Sequence, residues 1–183
     1  GPARGIQHLY DRNAQRYRDL YYRLHAEVDG PIDRVRRAVT ENGSDDAVLV
    51  RSSDHGELLG AHGGLHQKWF NLYDEATRVP FVIARVGERA TSAARVTRAP
   101  TSHVDLLPTL LSAAGLIEAE LAISLRRRFT EVHPLPGRDL MSLATTGEPT
   151  ELERGRAVYL TTRDNMLEGD SGASGLARRL GLA

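Results

Sequence analysis

Cysteine is absent from this 183-residue chain. That excludes a disulfide scaffold, a Cys-ligated zinc or iron–sulfur site and a Cys nucleophile within it. The redox compartment stays open, since a cysteine-free protein works in either. No apolar run approaches the roughly 18 residues of a membrane span, and the first residues carry no signal-peptide pattern. Net charge is lacking as well, with 24 basic against 24 acidic residues. Scattered arginines in a neutral chain argue against a nucleic-acid partner, which needs a clustered positive footprint. The one basic run, Arg126-Arg127-Arg128, reads as a solvated helix face. Lysine is almost missing: every basic residue except Lys68 is arginine.

What is present is an ordinary globular composition, 40% apolar and 26% charged. The length suits one compact domain with room for a small appendage, burying roughly 70% of the unfolded surface. Apolar positions at Tyr17, Leu20, Tyr21, Leu24 and Val28 form one helical stripe. Ile32, Val35, Ala38 and Val39 resume it after Gly30-Pro31, which predicts a kink or a fresh start there. Ala47–Val50 predicts a buried parallel strand. Residues 52–69 predict a loop rich in glycine and histidine, 70–76 a short helix and 79–84 a second strand. Ser102–Ala114 predicts a helix capped by Ser102 and Asp105. Its buried stripe is Val104, Leu107, Leu111 and Ala114, with a bend at Pro108 and an end at Gly115. Residues 116–129 predict another helix, 133–137 a turn-rich linker and 158–162 a third strand. The fold class expected is α/β, a mostly parallel sheet flanked by helices. Its ligand site belongs beyond the carboxyl end of a strand.

Residues 52–69, SSDHGELLGAHGGLHQKW, stand at that place. Neighbouring side chains on a continuing strand point to opposite faces. A sharp turn at Gly56 would let Asp54 and His55 converge on one ion. A carboxylate with a neutral imidazole suits Mg, Ca, Mn or Zn, and two ligands fill only part of any such shell. Lys68, in a chain that otherwise uses arginine, suits a site that wants a compact rotatable ammonium near an anion. His62 and His66 read as ligands, proton donors or structural loop histidines, with His66 nearer to Lys68.

Three stretches then fall into an order that resembles the C-terminal half of the sulfatase catalytic domain, within the alkaline phosphatase superfamily. They are Ser53-Asp54-His55-Gly56-Glu57, Leu59-Gly60-Ala61-His62-Gly63 with Lys68, and Arg78-Val79-Pro80-Phe81. The helix with Val28-Asp29, the segment His103–Leu110 with Gly115, and Leu135-Pro136-Gly137-Arg138-Asp139-Leu140 extend the likeness over residues 17 to 162. The resemblance implies that Asp54 and His55 bind a divalent cation (Ca, Mg or Mn). It implies that Lys68 contacts the sulfate ester and offsets charge on its bridging oxygen. His66 is the candidate acid beside it. One departure is Gly63-Gly64, where the family pattern has a single glycine. Another is that no Cys/Ser-x-Pro-x-Arg motif and no Asp-Asp-x-Gly is present. The formylglycine nucleophile is therefore expected upstream, and this chain is expected to be one part of a sulfatase-type hydrolase, inactive alone.

The resulting expectations are residues 1–145 as the C-terminal portion of the catalytic domain and 146–183 as the start of a small subdomain or tail. The partner is a sulfate ester or related small molecule, with no nucleic acid and no membrane. Two other functions fit the same residues. One is a phosphodiester or phosphonate hydrolase or phosphotransferase of the same superfamily, and the other is a non-catalytic α/β interaction domain.

Overall fold

A computed structural model describes residues 6–42, 46–68, 71–87 and 94–160, with side chains from Asp11 onward. The described residues fall into two compact units. One holds the first helix with residues 51–82, the other residues 46–50 with 83–159.

In the first unit, α1 runs from Ile6 to Glu41, interrupted once at Asn13, where φ is −120° and ψ 15°. The fresh start that Gly30-Pro31 allows does not occur. Pro31 lies inside the helix, and the turn beyond it is laced by Asp33, which pairs with Arg36 at 2.8 Å and Arg37 at 2.6 Å. The helix also starts well before the predicted Tyr17. Much of its apolar stripe is open: Leu20, Leu24, Val28 and Val35 are exposed. A single turn, α2 (Ala61–Gly64), and a second, α3 (Asp74–Thr77), follow in the loop region. Leu58 and Ala76 are the buried apolar residues of this unit.

The strands are β1 (Asp46–Arg51) and β2 (Val82–Gly87), paired with each other. Arg85 reaches Asp46 across the pair at 3.3 Å. β1 lies where expected, although Ala47–Val50 are half-buried rather than buried. β2 starts three residues later than predicted, leaving Pro80 outside it, where no ladder bond is forfeited. Val158–Leu160 form no strand, and residues 161–162 of that predicted element lie outside the described residues. The sheet among the described residues is thus this one pair, not the mostly parallel sheet expected.

The second unit continues with a 3₁₀ turn at His103–Asp105 and α4 (Leu106–Ala113). Pro108 sits in the first turn of α4, where its missing N–H would have had no helical partner, so the predicted bend has no cause. Gly115, at φ +72°, ends the segment as expected, with Leu116 N donating to Leu111 O at 2.9 Å. Then come α5 (Glu118–Leu125), α6 (Met141–Thr146) and α7 (Glu151–Arg154). Thr150 and Glu153 cap α7 reciprocally, the Thr150 amide donating to Glu153 Oε2 at 2.6 Å.

The predicted buried stripe of α4 is reversed. Val104 and Leu107 are exposed, whereas Asp105 and Thr109 are fully buried. The cause is polar. Asp105 receives both guanidinium nitrogens of Arg156 at 2.6 and 2.7 Å, the Arg138 amide at 2.8 Å and the Ser102 amide at 2.8 Å. Thr109 Oγ1 donates to Asp105 O at 2.6 Å and accepts from the Leu140 amide at 3.0 Å. Leu140 and Leu143 complete this core.

Burial raises the Asp105 carboxyl, but the bonds from Arg156, Arg138 and Ser102 outweigh it and hold the group below its ordinary 3.8. Its stabilising contribution is therefore present above about pH 4 and lost as pH falls through the lower folded-state value. Asp105→Ala strands the Arg156 guanidinium and should cost about 3–5 kcal/mol. Urea titration across pH checks both statements: the variant should lie well below the parent at pH 7, and the gap should begin to narrow as pH falls below about 4.

Candidate functional site

The segment after β1 bends at Asp54. Asp54 Oδ1 accepts the His55 amide at 2.9 Å, and Ser53 Oγ donates to His55 O at 2.8 Å. The local bonding turns the two side chains toward each other, so that Asp54 Oδ2 and His55 Nε2 stand 3.5 Å apart. His55 Nδ1 is 2.7 Å from Gly56 O. A carbonyl only accepts, so Nδ1 carries the proton, and in the neutral ring Nε2 presents a lone pair beside the carboxylate. The His55 amide, then the His55 ring, holds the Asp54 carboxyl below the usual carboxylate range. The result is an ionised, solvent-facing oxygen next to an imidazole nitrogen of fixed tautomer. Two donors on one hard cation stand roughly 3 Å apart at bond lengths of 2.0–2.6 Å, so the donor set fits such an ion. Among the described residues, no three or more His, Cys, Asp or Glu side chains gather into a metal site.

The bend expected at Gly56 falls at Asp54 instead. Gly56 is a point of close approach. Its amide donates to Ala76 O at 2.8 Å, and a Cβ there would stand 1.9 Å from Glu75 O. The backbone of α3 thus lies directly against the residue that follows the Asp-His pair.

Glu57 organises what comes next. Its Oε1 accepts the amides of Leu59 at 3.1 Å and Gln67 at 2.5 Å, and its Oε2 accepts the Tyr17 hydroxyl at 3.1 Å. Leu58 N donates to Gln67 O at 3.1 Å and Gly60 N to Leu65 O at 2.7 Å. The loop is therefore a closed lap, and its return strand delivers Lys68 one residue after a backbone bond to Leu58. Gly63 and Gly64 take φ of +85° and +101°, conformations that cost little without a Cβ.

The histidines separate in role. His62, with φ +52°, places Nε2 3.0 Å from Glu75 Oε2 and stacks on the Tyr73 ring at 3.7 Å. The bond from His62 holds the Glu75 carboxyl below its ordinary range. His66 is half-buried, and burial lowers its imidazole below the ordinary 6.5 against the raising influence of Glu57 and Asp11. Lys68 is half-buried. The sequence reading gave no role to Glu57, Glu75, Tyr73 or the Tyr17 hydroxyl. Glu57 was visible as the fifth residue of the Asp-His motif, but which amides it collects follows from positive-φ backbone that residue types do not spell out.

A model of the sulfatase family matches residues 3–116. An uncharacterized sulfatase, YidJ, of Escherichia coli is 38% identical over 103 residues, which is 56% of this chain and 20% of that protein. An arylsulfatase of Volvox carteri is 37% identical over 113 residues, 58% of this chain and 17% of its own. A multifunctional alkaline phosphatase superfamily protein, PehA, of Trinickia caryophylli is 32% identical over 108 residues, 58% of this chain and 20% of its own. The chain thus spans about a fifth of the length of these curated relatives. No solved structure matches it.

The contact at Gly56 gives a direct test. Gly56→Ala must push α3 away, because a backbone oxygen cannot rotate aside as a side chain does. A loss of about 1–3 kcal/mol is expected from the forced overpacking, read by urea denaturation, whereas Gly155→Ala, at φ −86° with its nearest neighbour 3.7 Å away, should cost less.

Proposed function

The chain belongs to the sulfatase family, which carries with it an α/β fold of the alkaline phosphatase type, and on that premise we propose that it supplies the cation-binding pair and part of the sulfate site of a sulfate-ester hydrolase. The observation that carries the reading is the 3.5 Å approach of Asp54 Oδ2 to His55 Nε2, with the imidazole tautomer set by Gly56 O.

Asp54 and His55 hold the divalent cation, which when bound polarises the sulfate oxygens as a Lewis acid. Asp54 contributes a carboxylate already ionised at neutral pH, so binding there displaces no proton. His55 contributes Nε2, and Gly56 O keeps the ring from turning its N–H toward the ion. Lys68, delivered by the closed loop, offsets the negative charge that grows on the bridging oxygen as the S–O bond breaks. His66, two residues away in sequence, passes a proton to that oxygen. Its depressed pKa makes the protonated form scarce above pH 6.5. The nucleophile is not assigned to this chain, since no residue in it matches the Cys/Ser-x-Pro-x-Arg motif.

A second reading has one specific observation behind it. The PehA relative is described as a multifunctional alkaline phosphatase superfamily protein, and a cation beside a lysine serves a phosphate ester as readily as a sulfate. Comparison of 4-nitrophenyl sulfate with bis(4-nitrophenyl) phosphate in the full-length protein separates the two. The sulfate reading expects the first to be turned over at the higher kcat/KM.

Mn²⁺ titration by calorimetry should show binding that Asp54→Ala weakens at least tenfold, and unchanged affinity would remove the cation role. Lys68→Ala should lower kcat about 100-fold or more with folding intact, checked by circular dichroism and steady-state rates. For His66, the alkaline limb of the kcat profile should lie below pH 6.5, where the acid form is lost, and His66→Gln should abolish that limb.

A further inference from the structure

His62 stands at the tip of the loop between the Asp-His pair and Lys68, and nothing in the chemistry above uses it. Three observations bear on it together. Its backbone is left-handed at φ +52°, a region that non-glycine residues seldom enter. Its ring lies flat on Tyr73, 3.7 Å between centroids and 8° between planes. Its Nε2 meets the Glu75 carboxylate at 3.0 Å. An unusual backbone conformation persists where its surroundings over-determine it, and here a ring stack and a hydrogen bond to one short element do so.

That element is α3, which also touches the other side of the site. Ala76 O accepts the Gly56 amide, and Glu75 O packs on the Gly56 Cα. One helical turn therefore grips both the residue that follows Asp54-His55 and the tip of the loop that carries Lys68. Glu57 ties the two ends of the lap but does not reach the tip.

We propose that His62 is a positioning residue. Clasped by Glu75 and Tyr73, it locks the 57–68 loop onto α3 and so fixes where Lys68 stands relative to the Asp54–His55 pair. The inference rests on the reading of Lys68 given above for its catalytic consequence, and on the loop geometry alone for its mechanical one. Loosening the clasp shifts the lysine while leaving the cation pair in place, because Gly56 keeps its own backbone bond to Ala76.

Hydrogen exchange on the full-length protein reads the mechanical part without any substrate. In His62→Ala, the Leu58 and Gly60 amides, which close the lap onto Gln67 and Leu65, should exchange at least tenfold faster while the Gly56 amide keeps its protection. His62→Gln, whose amide can still donate to Glu75, should recover part of the difference. Unchanged exchange at Leu58 and Gly60, or equal loosening at Gly56, overturns the proposal. The catalytic part is read by a double-mutant cycle on 4-nitrophenyl sulfate. His62→Ala should lower kcat by roughly 10- to 100-fold, with KM within about twofold, and should add nothing when Lys68 is already alanine. Independent, multiplicative losses overturn a route through Lys68. A Lys68→Ala variant with the parent rate refutes the role of Lys68 instead, and the exchange result then decides the clasp by itself.

Discussion

The shape of the loop that follows the Asp-His pair depends on one carboxylate that accepts three bonds. Glu57 takes the amides of Leu59 and Gln67 on one oxygen and the Tyr17 hydroxyl on the other. An ionised carboxylate bonded in this way makes stronger contacts than neutral pairs do. It also anchors the loop to α1, whose exposed surroundings offer little apolar packing in its place. The backbone bonds Leu58–Gln67 and Gly60–Leu65 then close a lap whose corners are taken by left-handed residues. The lap is small and its buried apolar content is mostly Leu58. Its shape is thus set by hydrogen-bond direction more than by hydrophobic contact.

The second unit uses the same device in a buried form. Asp105 gathers Ser102, Arg138 and Arg156 from three stretches of chain, and Thr109 adds the Leu140 amide. Two polar side chains, fully enclosed, do there what an apolar stripe does in most helices. Such a core tolerates little substitution, because each partner left alone is a buried polar group without its bond.

The family was legible in the sequence: the order of short motifs around Asp54, His55 and Lys68 resembles the sulfatase family, whose model matches residues 3–116. β1, the Gly115 stop and the Ser102–Asp105 cap follow from local rules that depend on a few neighbouring residues. The pairing of Thr150 with Glu153 carries the same kind of signal. The misreadings have a common cause. A stripe of Val104, Leu107, Leu111 and Ala114 marks an apolar helix face, but sequence cannot say that Arg156, 51 residues away, draws the opposite face inward. Pro31 reads as a break because proline costs a helix bond, while the structure carries α1 through it. The convergence of Asp54 and His55 was anticipated through the wrong residue. The bend is at Asp54, and the contribution of Gly56 is contact with α3.

The Asp105 cluster also imposes an order on assembly. During synthesis the carboxylate leaves the ribosome long before Arg156, and until that guanidinium arrives Asp105 keeps better company with water than with the interior. The segment from Ser102 to Leu140 can form its helices early, yet it cannot close over its own centre. The last stitch comes from a residue that lies beyond every element it secures. A nascent chain paused short of Arg156 would hold these helices loosely, with the Asp105 carboxylate still hydrated, and would set only when that guanidinium arrives.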